Sequence, residues 1–456
     1  MIDGIRNGMV MQRGQDDRSL IYVSGIEDGA SISCKNQKGG DVPVFYRDGK
    51  LYGVPTGGPY VIKIGDQVYS DIYVGDVWLL TGQSNMEGNG DLTDRDLNYV
   101  PAEDIRNFYM MDYWAPAKNP LHHCAQAVDR VHIEQLNAWP QTPGTGAGPG
   151  LGFAVKMKEI TGVPQGLIAC AHGGTCLEHW NPETKGLGGA GSLYGAMLRR
   201  FITNGGHCAG ILWFQGCQEA VNQEHEYFTQ RTVNLFNNFR ADFGKGHIDG
   251  RVPIVQAQIG RWDDDINGGK PFERSWTSVR KQQLDMADIV PKLDTVASVT
   301  YSTDDFVHIC SEGVWAIGER MAESMVLLKW PEIKENFDLK PGMKLGAVKV
   351  VQDKIHSDFT RTIIHIENCH GNLVAYPRAM GFSLAGPDGE QEVSRHPFDA
   401  YVEGENIIVR IRMSFEQLKD RSLYYGYGCN PACNITDGTG APVPCFGPIY
   451  FKDIMQ

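Results

Sequence analysis

Val77-Trp78-Leu79-Leu80-Thr81-Gly82-Gln83-Ser84-Asn85-Met86-Glu87 is the stretch whose reading decides the fold. Its first four residues form an unbroken apolar run of the kind that fills a buried strand. A glycine then allows a sharp turn, and a serine follows. A serine raised at the end of a buried strand is well placed to act as an exposed nucleophile. The competing reading is structural: Ser84 caps the next helix, as serines after strands often do. The rest of the chain has to decide between them.

Downstream, apolar runs alternate with longer segments of helical period, the pattern of a parallel sheet with helices on both faces. Strands are expected over Val77–Leu80, Phe108–Met111, Gly166–Ala171, Gly210–Phe214, Pro253–Ile259 and Thr295–Val299. Helices are expected over Glu224–Phe239 and Ser311–Leu328, with Ser311 a candidate N-cap of the second. The glycine-rich segment Thr142–Gly150 reads as a loop. It is not a phosphate loop, because it lacks the Gly-Lys-Ser/Thr ending.

Upstream of Asp76 the pattern is different. Short runs such as Leu20–Val23 and Tyr60–Ile64 are separated by Gly, Asp and Pro, which implies a small β-sandwich or jelly roll. After Trp330-Pro331 the β pattern returns in Ala347–Val351, Thr362–Glu367, Ala400–Val402 and Ile407–Ile411. The expected organisation is therefore an N-terminal β-rich region (1–75), an α/β domain (76–332) and a C-terminal β-rich region (333–456). The two β regions can form one domain or two. A chain of 456 residues is too long for a single core.

Composition narrows the function classes. Apolar residues make up 42% and charged residues 21%, as in ordinary globular proteins. A net charge of −13 argues against a polyanion-binding surface, so nucleic acid is not an expected partner. No run approaches the roughly 20 apolar residues that span a bilayer, so no membrane association is expected. The first residues lack the apolar core of a signal peptide. A cytoplasmic location is expected, or a secreted or periplasmic one if a leader has been removed.

The 11 cysteines are scattered without zinc-like pairing, which fits reduced thiols. Cys429, Cys433 and Cys445 come nearest to a cluster but lack a fourth ligand of suitable spacing. His122, His123, Cys124 and His132 are read as surface polar residues. No metal and no cofactor are expected.

In an open α/β sheet, ligands sit outside the carboxyl ends of the strands. Beyond those ends stand Ser84, then His172-Gly173-Gly174-Thr175 with Glu178 and Trp180, then Gln215-Gly216-Cys217-Gln218-Glu219, then Arg261-Trp262, and finally Asp304-Asp305-Phe306-Val307-His308. Acyl transfer needs a nucleophile, a base, a group that orients the base, and donors for the oxyanion. Ser84 supplies the first and His308 the second. Asp305, three residues before His308, can reach its Nδ1 if the backbone turns, and Asp304 is the rival. The N–H groups of Ser84 and Gly174, with the Gln215 amide, are the natural oxyanion donors. Singly, His308 reads as a helix-flanking histidine, Gly173-Gly174 as a tight turn and Gln215 as a polar strand end. Together on one sheet edge they favour an enzyme.

These blocks resemble the SGNH-hydrolase superfamily. Gly82-Gln83-Ser84-Asn85-Met86, Gly173-Gly174-Thr175, Trp213-Phe214-Gln215-Gly216 and Asp305-Phe306-Val307-His308 are most similar to those of its sialate O-acetylesterase branch. Met9–Gln12, Gly57–Tyr60, Gly75–Trp78, Tyr427–Pro431 and Ala441–Pro444 extend the resemblance over most of the chain. It implies a flavodoxin-like α/β/α catalytic domain, with β-sandwich-like regions to either side, and metal-free serine hydrolysis of acetyl esters on sugars. It implies Ser84 as nucleophile, His308 as base, Asp305 as its partner, and Ser84, Gly174 and Gln215 as the oxyanion hole. One departure is Cys217, where the branch has a glutamate; Glu219 is the candidate replacement. Met86, where the α/β-hydrolase elbow has its second glycine, argues against that other fold.

Glu178, Trp180, Arg261 and Trp262 are the candidate substrate-binding residues. Flat indoles suit sugar rings, although many tryptophans only pack a core. Arg261 can hold a sialic acid carboxylate, or else pair with Asp263, Asp264 or Asp265. O-acetylated sialic acids are thus the first expected substrate class and acetylated xylan or pectin fragments the second. A carbohydrate-binding protein with a vestigial triad is the alternative outside catalysis.

Overall fold

A computed structural model describes residues 2–136, 142–247, 249–263, 272–335, 337–356, 358–386, 391–392 and 398–455. The chain condenses into two compact units. The first comprises Met1–Gln215, Gln230–Val255 and Cys310–Ile333, the second Gly216–Thr229, Gln256–Ile309 and Lys334–Gln456.

In the first unit, β1 (Gly57–Ile64) pairs antiparallel with β2 (Gln67–Gly82), and Val10–Gln12 pairs parallel with the middle of β2. The expected boundary at residues 75 and 76 therefore falls inside one continuous strand, and the N-terminal β region belongs to the first unit. From Val77 through Thr81 no side chain is exposed. Burial on both faces is why the run carries no alternation. Each of its large apolar side chains contributes about 1.5–3 kcal/mol by leaving water. The Trp78 indole N–H, buried with them, donates to Gln165 Oε1 at 2.7 Å, which removes the cost of an unpaired donor.

Further strands of this 11-stranded sheet are β3 (Ile105–Phe108), β4 (Gln165–Ala169), β5 (Gly210–Phe214) and β6 (Ile254–Ala257). The spatial order is Trp114–Pro116, β3, β4, β2, β5, β6. β4 and β5 flank β2 in parallel, with Ile168 and Ile211 both in register with Leu79. The connection out of β2 leads to β3 on one side, whereas the connection out of β4 crosses to β5 on the other. The winding thus reverses beside the carboxyl end of β2, where open α/β sheets form their ligand crevice.

Several local expectations need correction. β3 begins at Ile105, earlier than its apolar content suggests, because Arg106 and Asn107 lie within it. Asn107 is fully buried and donates to the Leu121 carbonyl at 2.9 Å. The glycine-rich segment is not all loop: Thr145–Ala147 pairs with Gly90–Asp91, and a helix starts at Pro149 and runs to Thr161. Proline fits there because a first-turn N–H has no intrahelical partner to lose. Ser311 opens its helix (Ser311–Lys329) without capping it. The N-cap is Cys310, and the Ser311 hydroxyl donates to Asp96 Oδ2 at 2.5 Å. The helix expected from Glu224 is a short 3₁₀ turn followed by Phe228–Phe243.

The second unit holds two four-stranded antiparallel sheets. Lys344–Gln352, Thr360–Glu367, Asn406–Ile411 and Phe398–Glu403 form one; Gln391–Glu392, Phe382–Ala385, Ser422–Tyr425 and Phe446–Tyr450 form the other. Ile364, Ile366 and Val409 share a core with Leu384, Leu423 and Phe446. Thr360–Glu367 alternates buried and partly buried residues, the period-2 signature of a strand with one face inward. The same unit contains the helix Glu273–Ile289 and the strand Leu293–Val296. Among the described residues no helix is long and apolar enough to cross a membrane.

Candidate active site

In the first unit the site begins where β2 stops. Gly82 has φ +123°, and a Cβ there would meet the Phe214 carbonyl oxygen at 2.3 Å, so only glycine fits. Gln83 returns to extended backbone and donates its N–H to Phe214 O at 2.9 Å. The chain then enters α1 (Ser84–Glu87), whose N-cap is Gln83 rather than Ser84. The capping role for Ser84 is thereby removed. As the first residue of α1, Ser84 carries an N–H that the helix cannot satisfy internally. The serine is 7% exposed.

The loop after β4 closes on this serine. Its backbone stays paired with β2 as far as His172, whose N–H donates to Gly82 O at 3.1 Å. At Gly173 a Cβ would lie 2.9 Å from Glu87 Oε2 and 3.3 Å from Ser84 Cβ, which explains the first glycine. Gly174 takes φ +67° with open space beside it. Thr175 turns the loop by donating its hydroxyl to His172 O at 2.7 Å. Gln215, one residue past β5, donates its side-chain amide to Thr175 O at 2.6 Å. Ser84, Gly173, Gly174 and Gln215 are therefore joined around one loop.

Sequence reasoning passed over Glu87. One turn after Ser84 on α1, its Oε2 accepts the Gly173 N–H at 2.5 Å. It ties the serine's helix to the glycine loop. The only sequence signal was its i, i+3 spacing from Ser84, which places both on one helix face.

Trp180 has to be withdrawn as a sugar platform. It is fully buried and packs edge-to-face on Trp213, with ring centroids 5.4 Å apart. Glu178 is exposed on the short 3₁₀ turn Leu177–Trp180.

In the second unit, Thr303 and Ile309 bridge across a tight loop, and the Asp304 N–H donates to His308 O at 2.9 Å. Within it Asp305 Oδ1 accepts the N–H groups of Val307 (2.8 Å) and His308 (2.7 Å), while Oδ2 lies 2.6 Å from His308 Nδ1. Asp305, and not Asp304, is the carboxylate at that nitrogen. Burial pushes the Asp305 carboxyl up, but the hydrogen bonds from the His308 ring and from both N–H groups outweigh it and hold it below the usual range. With Nδ1 facing a carboxylate, the Nε2 of a neutral His308 is left as the acceptor.

Beside this loop stands Trp262, 4.6 Å from the Phe306 ring and 5.7 Å from Trp276. Phe306, 44% exposed, presents the open apolar face that Trp180 does not. Arg261 donates to Tyr301 O at 3.1 Å and Asn430 Oδ1 at 3.5 Å. Among the described residues no carboxylate pairs with it; Asp263 is bound instead by Asn430 Nδ2 at 2.7 Å. Asp264 and Asp265, the other expected partners, lie outside the described residues. Buried Arg280 braces the segment by donating to the carbonyls of Ile259 (3.1 Å) and Gly428 (2.8 Å).

Cys217 opens a short helix (Cys217–Val221). Burial, then the Glu219 carboxylate, pushes its thiol up to about 12, so it stays protonated. Glu219 is 1% exposed. The Cys433 and Cys445 sulfurs both lie beside Gly426, and among the described residues no further ligand completes a metal set there. All 11 cysteines are free.

Residues 74–327, more than half of the chain, match the family described as "Carbohydrate esterase, sialic acid-specific acetylesterase". A probable carbohydrate esterase of Arabidopsis thaliana is 25% identical over 281 residues, which is 57% of this chain and 93% of that protein. The crystal structure of a carbohydrate acetylesterase from Xanthomonas citri superposes with a TM-score of 0.68 at 20% identity, covering 97% of this chain and 98% of the other. The two share a fold along nearly their whole lengths. The crystal structure of NanS has a TM-score of 0.41 and 14% identity, over 56% of this chain and 98% of that one.

Proposed function

Because the chain belongs to the sialic acid-specific acetylesterase family of carbohydrate esterases, we propose that it removes O-acetyl groups from sialic acids by a Ser-His-Asp mechanism. Ester hydrolysis on acetylated carbohydrate follows from the family itself. The observation that supports Ser84 as the nucleophile is the glycine loop drawn against it, with Gly173 held by Glu87. In space the strands run β3, β4, β2, β5, β6, so the second and third lie on one side of the first and the fourth and fifth on the other, a doubly wound arrangement that supports an SGNH-type catalytic domain.

Ser84 Oγ attacks the acetyl carbonyl and gives its proton to His308 Nε2. Asp305 holds the ring in the required tautomer and balances the imidazolium. The oxyanion is received by the N–H groups of Ser84 and Gly174 and the Gln215 amide. Collapse expels the sugar oxygen, which takes the proton from His308. Water, deprotonated by the same histidine, then attacks the acetyl-serine and releases acetate.

Sialic acid is preferred to xylan or pectin fragments on one ground. Arg261 has only neutral partners among the described residues, which suits a guanidinium kept for a ligand carboxylate. Hydrolysis of p-nitrophenyl acetate by wild type and Ser84→Ala tests the mechanism. The variant is expected to lose roughly 10³-fold or more in rate with its fold intact. Equal rates would overturn it, and would restore the alternative of a non-catalytic sugar-binding protein.

A further inference from the structure

Inside the first unit, three side chains set apart from the acyl-transfer chemistry bring their ligand atoms together. Cys124 Sγ and one ring nitrogen each from His132 and His172 all lie within 4.8 Å of one another. The residues are 4%, 0% and 4% exposed, so Cys124 and His132, expected at the surface with His122, are interior, as is His122 itself at 1%. His132 Nδ1 and His172 Nδ1 are 2.9 Å apart, with the rings tilted by 33° rather than stacked. A tetrahedral zinc site, with bonds of about 2.0–2.3 Å, has ligand atoms roughly 3.3–3.7 Å apart. The observed spread of 2.9 to at most 4.8 Å brackets that value.

Two independent features make the cluster more than an interior hydrogen bond. His132 Nε2 is buried with no partner, and His132 lies on a π-helical turn, Val131–Gln135, a geometry that gathers at functional sites. The charge balance also favours a cation. Arg199 and Arg200 are nearby, but Asp112 pairs with both and Asp129 with Arg199. Two positive charges thus meet two negative ones. A divalent cation bound beside the Glu87 carboxylate would offset the negative charge of a Cys124 thiolate.

We infer that Cys124, His132 and His172 form a binding site for a soft divalent cation, zinc in the first place. On binding, the Cys124 S–H bond breaks, its proton leaves to solvent, and Sγ and two imidazole nitrogens donate to the metal. The ligands are interior, so the ion is not the reaction's electrophile. It anchors His172, the residue directly before Gly173-Gly174.

The test uses the purified full chain and the metal alone. Cobalt(II) is expected to bind at one equivalent with a thiolate-to-metal charge-transfer band in the near ultraviolet, and zinc to displace it. Cys124→Ser should abolish the band, and His132→Gln should weaken binding at least 10-fold. A wild-type protein without the band overturns the site, as does a band undiminished in Cys124→Ser, which would assign the metal to another cysteine. Should Cys124→Ser fail to fold, X-ray absorption of the zinc-loaded wild type decides: one sulfur and two nitrogen neighbours support the site, and a shell without sulfur overturns it.

Discussion

Glu87 carries the clearest consequence at the scale of single residues. Its carboxylate fixes the Gly173 N–H, and through it the aim of the neighbouring Gly174 N–H. On the proposed mechanism it is a positioning residue, because it acts through the loop. Glu87→Ala is expected to lower kcat by about 10²-fold while KM moves little, since the loss falls on oxyanion stabilisation. Glu87→Gln keeps an acceptor oxygen and should recover most of the rate. If alanine and glutamine behave alike, the role is wrong. For Arg261 the expectation is selective. Arg261→Ala should slow turnover of 9-O-acetylated sialic acid at least 10-fold more than that of p-nitrophenyl acetate. Equal losses would remove it as the carboxylate clamp and favour neutral acetylated sugars.

At the scale of elements, the loop His172–Thr175 and helix α1 act as one piece. Gly173→Ala would drive a methyl group against Glu87 Oε2 and Ser84. The expected result is a well-folded protein with at least 10-fold lower kcat, and wild-type turnover would show that the approach is not needed. The β2–Ser84 turn was legible in the sequence because each of its parts has a local cause: an apolar strand buried on both faces, then a glycine that steric contact demands. The Glu87 contact was not, since its partner lies 86 residues away and no spacing rule reaches that far. Trp180 misled for the converse reason. An indole next to a strand end reads the same whether it faces a ligand or Trp213. The helix Pro149–Thr161 was hidden because its first turn is Pro-Gly-Leu-Gly, a poor helix former that tertiary packing overrides.

On the scale of the whole molecule, the sequence divides into β-rich and α/β stretches, yet the compact units do not follow those stretches. β2 runs through the expected first boundary, and the second unit gathers three separate segments of chain. Composition shifts mark changes in secondary structure and are blind to which segments share a core. The second unit's stability has a charge signature. Asp353, 8% exposed, accepts the N–H groups of Ile355 and His356 and a bond from Arg410 Nε. These bonds pull its carboxyl down to about 2. A carboxyl lower in the folded than in the unfolded state, where about 3.9 is usual, contributes stability that is full above roughly pH 4 and fades as pH falls toward 2. Asp353→Asn should therefore be less stable than wild type at pH 5, with the difference vanishing near pH 2 in denaturant titrations. A difference independent of pH would contradict this.

On the proposed mechanism Ser84 carries the acetyl group during turnover. Rapid acid quench of enzyme mixed with p-nitrophenyl acetate, followed by peptide mapping with mass spectrometry, tests it most directly. An acetyl group is expected on Ser84 alone, absent from Ser84→Ala and accumulating in His308→Ala if acylation survives there. Full turnover with no acetyl group on Ser84, or with one on a different residue, would contradict it.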